Sequence, residues 1–256
     1  MNSFRGGFGG GFNTNTVVVN LLIINIIGFV AAWVFGKSGG GYHLNTILGL
    51  YIPSSDQFKP YQLLTHMFMH GNLMHIFFNM YALFLFGTVL ERVWGAKRFL
   101  IFYLVCGFGA ALLHLGVSYW EAEAARSALM DFGYSSSELA EMLSTGQVNR
   151  DLPPEIMEKA RTFYGANNYP TVGASGAVFG LLLGYGMLFP NSELFLLFIP
   201  FPIKAKYFVI GYGLIELFAG FARSPGDNVA HFAHIGGMIF GFILIKIWQQ
   251  DRDNFY

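Results

Sequence analysis

Gly173-Ala174-Ser175-Gly176-Ala177-Val178-Phe179-Gly180-Leu181-Leu182-Leu183-Gly184-Tyr185-Gly186-Met187-Leu188-Phe189 is an uncharged apolar run with a serine hydroxyl near its start. Its length and lack of strict alternation predict a helix crossing hydrocarbon, not a strand. Ser175 then sits where a membrane helix begins. A second apolar segment opens with His231-Phe232-Ala233-His234, and a third with His70-Gly71-Asn72-Leu73-Met74-His75. Polar groups suited to acyl transfer therefore enter the bilayer at the heads of three helices.

Composition agrees that the solvent is lipid. The 256-residue chain is 54% hydrophobic and 12% charged, against roughly 25% charged in an average soluble domain. The mean hydropathy is +0.47. A formal net charge of zero argues against a nucleic-acid partner. With Cys106 alone, no intrachain disulfide forms.

Six stretches have the roughly 20 residues that a span requires: 17 to 35, 72 to 90, 99 to 119, 173 to 189, 206 to 222 and 231 to 248. The expected fold is an all-α polytopic membrane protein, a bundle of six transmembrane helices with an external helical insert between the third and fourth. A Gly/Asn-rich tail covers 1–16, the membrane domain 17–250 with its insert at about 120–170, and a short tail 251–256. The apolar segment Leu194 to Ile203 contains Pro200 and Pro202, so it is expected to form an interfacial hairpin. In the insert, Glu138 to Leu143 and Glu155 to Ala160 predict two short amphipathic helices, the second begun by Pro153-Pro154.

Placing the N-terminus in the cytoplasm puts Arg5, Arg92, Lys97, Arg98, Lys204, Lys206, Lys246 and Arg252 inside, and only Lys37, Lys59 and Arg223 in the short outer loops. That is the positive-inside bias. The expected location is a bacterial inner membrane with both termini cytoplasmic. Parity then makes spans two, four and six start on the outer side, so His75, Ser175 and His234 share a depth and can meet.

Glycines at 176, 180 and 184, and at 237 and 241 beside His234, give spans four and six side-chain-free grooves for close packing. A serine hydroxyl needs a base within hydrogen-bonding reach, and His234 is placed to supply it. His75 and Asn79, at i and i+4, can aim donors at an oxyanion, aided by the Ser175 backbone N–H and the positive end of span four. No acidic residue is assigned to orient His234, so a dyad is expected. Glu216, in span five, requires a buried partner that the sequence does not identify, and Glu91 is expected to pair with Arg92 or Arg98. His66 and His70 have chelate spacing, yet every third ligand at that depth is already assigned, so no metal and no cofactor are expected. His43, His114 and His231 read as rim or packing residues.

His70, His75 and Asn79 on span two, Gly173-Ala174-Ser175-Gly176 on span four, and His234, Gly237 and Gly241 on span six resemble the signature of the rhomboid family of intramembrane serine proteases. The resemblance implies Ser175 as nucleophile, His234 as general base, and His75 and Asn79 as oxyanion donors. Gly173, Gly176, Gly237 and Gly241 would support the site, with His70 and His66 structural or water-retaining. It implies a transmembrane protein as substrate and the lipid bilayer as partner, and leaves the oligomeric state open. Tyr61-Gln62 stands where many members have Trp-Arg, which bears on the membrane contacts of the first external loop. Phe179 replaces a tyrosine common in the family; it can stack on His234 but offers no hydroxyl. A catalytically inactive relative would ordinarily lack the serine or the histidine, and a transporter would show pseudo-repeats and broken helices.

Overall fold

In the computed structural model, residues 16–37, 44–148, 151–195, 201–222 and 229–253 are described. The tail expected at 1–16 lies outside them apart from Thr16, as do His43, Arg223 and the last residues of the expected C-terminal tail.

Helix α1 (Val17–Lys37) starts where the sequence predicts. Its first turn has N–H groups with no intrahelical acceptor, and the Glu91 carboxylate meets two of them, Val17 N–H at 2.8 Å and Val18 N–H at 2.9 Å. Thr16 Oγ1 accepts from Val19 N–H at 3.2 Å. Glu91 therefore caps α1 instead of pairing with Arg92 or Arg98, because a helix N-terminus is itself a site of positive potential. This clasp joins the start of the first span to the C-terminal end of the second.

A short α2 (Leu44–Leu48) and α3 (Gln62–Thr65), followed by a 3₁₀ turn His66–Phe68, bracket the first loop. Gln62 is buried and ties the loop together: Nε2 donates to Ile47 O at 3.2 Å and Gln57 O at 3.0 Å, and Oε1 accepts from Lys59 N–H at 3.0 Å. Tyr61 beside it is exposed. Of the two residues that depart from the Trp-Arg pattern, Gln62 thus acts within the loop while Tyr61 faces outward.

The second span runs through α4 (Leu73–Ala82), a π-helical turn at Leu83–Gly87, and α5 (Thr88–Trp94). The third is α6 (Ala96–Asp131), which continues well past residue 119. Its 36 residues extend about 54 Å, far beyond a hydrocarbon core of about 30 Å. No glycine or proline interrupts residues 117 to 131, so the helix has no reason to stop at the membrane boundary. The insert consequently builds on a helical stalk: Ala125 and Leu129 pack with Tyr134, Leu139, Met142, Ala160 and Phe163. The predicted pair of insert helices is α7 (Ser136–Thr145), with a Ser135–Glu138 capping box and Gly146 at its end, and α8 (Pro154–Asn168), with proline in its first turn.

The fourth apolar helix, α9 (Ser175–Leu188), has 14 residues and reaches about 21 Å. It is shorter than the segment expected at 173 to 189 and too short to cross alone. Strands β1 (Glu193–Leu194) and β2 (Ile203–Lys204) pair antiparallel, with Glu193 opposite Lys204 and Leu194 opposite Ile203, so the proline-containing segment doubles back as expected. Its central residues, 196–200, lie outside the described set. Helices α10 (Ala205–Ala222) and α11 (His231–Asp253) complete the bundle, α11 running into the segment expected as a tail. Five helical segments are long and apolar enough to cross a membrane, and α9 is the additional shorter one.

Helix α9 is the core of the bundle: Gly176, Ala177, Val178, Phe179, Gly180, Leu181, Leu182, Gly184 and Gly186 are buried. A methyl group at Gly237 would fall on the Gly176 carbonyl, and one at Gly241 would stand 3.5 Å from Gly180 Cα. The two helices meet backbone to backbone, as their glycines predict. Helix α6 shares the contact, since a Cβ at Gly176 would meet Ala110 and one at Gly180 would meet Cys106. Gly184 turns instead toward Trp94, Phe102 and Leu90. Because backbone cannot yield as a side chain can, Gly237→Val is expected to destabilise by about 3 kcal/mol or more, at or above the upper end of core overpacking costs. Thermal unfolding of the detergent-solubilised protein measures it; an unchanged Tm contradicts this packing.

Lipid solvation explains the outward faces. Ile27 is 61% exposed and Phe218 77% exposed, which is costly in water and favourable in hydrocarbon.

Candidate active site

The heads of α4, α9 and α11 converge. Asn72 caps α4 by accepting from His75 N–H at 2.9 Å. Helix α9 begins at Ser175 itself, and its first backbone bond runs from Val178 N–H to Ala174 O at 3.0 Å. The earlier N–H groups, those of Ser175 and Gly176 among them, have no acceptor within the helix. Gly173 precedes them with φ +132°, and its N–H donates to His66 O at 2.9 Å. A Cβ there would lie 2.7 Å from His75 Nε2 and 3.6 Å from Ser175 Oγ, so glycine is what lets span two approach the serine.

Ser175 Oγ and His234 Nε2 stand 2.9 Å apart. The face of His234 is covered by Phe179, one turn after the serine, with ring centroids 4.1 Å apart and planes at 8°. Phe179 does stack on the imidazole. Tyr212 of α10 packs against Phe179 in turn, at 4.9 Å.

Across the serine, Gly71 N–H points at His75 Nδ1 at 3.4 Å. An imidazole nitrogen that accepts leaves the proton on the other, so Nε2–H is the donor directed toward Gly173 and Ser175. Asn79 is buried, and its Nδ2 has no hydrogen-bond partner among the described residues. A buried amide donor left open in this way is the kind of group expected at an oxyanion position. His70 packs edge-on against His75 at 5.0 Å. His66 Nδ1–H donates to Gln62 O at 2.8 Å.

Two expectations are corrected. Glu216 has the buried partner that the sequence did not identify: its Oε2 lies 2.8 Å from His234 Nδ1. The same oxygen lies 2.6 Å from His231 Nδ1. An acidic residue therefore does adjoin His234, and His231 is more than a rim residue. The available signal was Glu216 itself, an acid in an apolar span, because intramembrane ionisable groups are usually functional. What the sequence lacked was the rotation of α10. His114, also expected at the rim, bonds Thr171 Oγ1 at 2.6 Å. It lines, with His66 and Ser175, a cavity of about 20 Å³, room for about one water.

Glu216, His231 and His234 are the described groups whose ligand atoms, all within 4.8 Å of one another, could hold a cation. The carboxylate already accepts from both Nδ1 atoms, so the arrangement is complete as a hydrogen-bonded cluster.

Comparison with known proteins identifies the family. The family model described as Rhomboid domain matches residues 57–143 and 156–250. The chain belongs to the rhomboid family. RHOMBOID-like protein 12, mitochondrial, of Arabidopsis thaliana is 27% identical over 250 residues, covering 96% of this chain and 62% of that protein. Rhomboid protease GluP of Bacillus subtilis (strain 168) is 30% identical over 184 residues, 71% of this chain and 25% of that protein. Rhomboid protease AarA of Providencia stuartii is 27% identical over 190 residues, 70% of this chain and 52% of that protein. The chain thus spans less than two thirds of each of these rhomboid relatives. Their names point to mitochondria as well as to bacteria, so they give no support to the expected bacterial inner membrane. What stands is a multi-pass integral membrane protein of rhomboid fold.

Proposed function

We propose that this rhomboid is a serine endopeptidase that cleaves transmembrane segments of membrane proteins near the outer face, with Ser175 as nucleophile and His234 as general base. The observation that carries this reading is the 2.9 Å contact between Ser175 Oγ and His234 Nε2 at the head of a buried helix. Attack of Oγ on the scissile carbonyl carbon sends its proton to Nε2. The oxyanion is met by His75 Nε2–H, Asn79 Nδ2–H and the Ser175 N–H at the positive end of α9. Collapse expels the amine with the proton from His234; water then attacks the acyl-enzyme as His234 takes its proton, and the acyl–Oγ bond breaks as His234 returns that proton to Ser175 Oγ, releasing the acid. The two relatives named as rhomboid proteases support the same class of reaction.

A peptide bond within a helix is shielded by its hydrogen bonds, so attack requires local unwinding. Substrates with glycine or proline near the cut are favoured. Purified protein in proteoliposomes is expected to cleave such a segment with no added metal or nucleotide, and to cleave a leucine-rich variant at least tenfold more slowly. Equal rates on the two contradict the unwinding requirement. Loss of cleavage on chelation, fully restored by zinc, overturns the serine mechanism itself.

A further inference from the structure

Helix α10 leaves most of its apolar surface uncovered by the bundle, yet it turns one carboxylate inward. Its buried residues are Ala205, Val209 and Glu216, while Ile215 and Phe218, close to Glu216 in sequence, are 63% and 77% exposed. An ionised carboxylate in a low-dielectric interior is costly unless donors meet it. Both donors here are imidazoles of the first turn of α11, His231 Nδ1 at 2.6 Å and His234 Nδ1 at 2.8 Å, sharing the single oxygen Oε2.

A carboxylate only accepts, so this contact places the His234 proton on Nδ1 and leaves Nε2 with a free lone pair. That lone pair is the one facing Ser175 Oγ at 2.9 Å. With Phe179 stacked on the ring, the imidazole is held in plane by one contact and in rotation and tautomer by the other. We propose that Glu216 is a positioning residue that makes the centre a serine–histidine–glutamate triad, with His231 anchoring the carboxylate. It keeps His234 in the tautomer able to take the serine proton, and it faces the imidazolium that forms. The proton passes from Oγ to Nε2, Nδ1 keeps its own, and Glu216 stays ionised throughout. This rests on the serine-protease reading above.

The test uses the full chain in proteoliposomes, with cleavage of a transmembrane substrate and labelling by a fluorophosphonate read side by side. Glu216→Gln keeps the shape but removes the charge that faces the imidazolium, and its amide Nε2, where it turns to Nδ1, selects the opposite tautomer; kcat is expected to fall on the order of 10²-fold, within the range of general-base contributions. KM should change less than about twofold, since no substrate contact is removed. Glu216→Asp, which retains the carboxylate, should recover part of the loss. The ¹⁵N spectrum of His234 should show Nδ1–H in the wild type and Nε2–H in Glu216→Gln. Should Glu216→Gln fail to fold, the wild-type spectrum decides: an Nε2–H tautomer overturns the proposal. An active wild type with unchanged kcat in Glu216→Gln also overturns it, as does an equal fall for Gln and Asp that follows Tm. Wild-type protein that neither cleaves nor labels refutes the protease reading instead.

Discussion

Ser175→Ala and His234→Ala are each expected to reduce cleavage of a membrane-embedded substrate by about 10⁶-fold, because a nucleophile and its base act as one unit and the loss of either removes the covalent route. The double variant should be no worse than either single one. The structural basis is the contact between Oγ and Nε2, with no other serine in comparable reach of His234 among the hydrogen bonds of the described residues. Neither substitution should unfold the bundle. Ser175 is only half-buried at the head of α9, and the packing of α9 on α11 is carried by Gly176, Gly180, Gly237 and Gly241. Comparable Tm values with lost turnover are the expected pair of results. Normal turnover by purified Ser175→Ala sinks the assignment.

Asn79→Ala is expected to lower kcat by roughly 10²- to 10³-fold with a smaller effect on KM, the size found when one oxyanion donor is removed. Its amide is buried with Nδ2 unpartnered, so the donor is held ready for a charge that exists only during reaction. His75→Ala should lower kcat similarly, through loss of the Nε2–H beside Gly173. A fall in Tm together with unchanged kcat in the folded fraction assigns the residue to packing and removes it from the oxyanion site.

The meeting of three helix heads was expected from the parity of six spans, and the structure does bring His75, Ser175 and His234 together, although only five of the described helical segments are long and apolar enough to cross a membrane. The glycines at 176, 180, 237 and 241 were legible because close approach needs the absence of a side chain, and absence is visible in a sequence. Glu216 was not placed, because facing is set by packing, and the α10 sequence is apolar around most of its circumference. Glu91 was misassigned for a related reason. Two arginines lie near it in sequence, whereas the unsatisfied N–H groups it caps belong to α1, more than seventy residues away. The extent of α6 was underestimated because hydropathy reports where the membrane ends, not where the helix does. That Ser175 lies near the start of its helix was legible in the apolar run; that the helix begins at the serine itself follows from the Gly173 conformation and its bond to His66 O.

The most direct measurement is the site of covalent modification by a fluorophosphonate. Proteolysis and mass analysis of the treated protein should find the adduct on Ser175, and treatment of His234→Ala under the same conditions should leave Ser175 unmodified. An adduct on another serine, or undiminished labelling of Ser175 without His234, contradicts an activated serine at the head of α9.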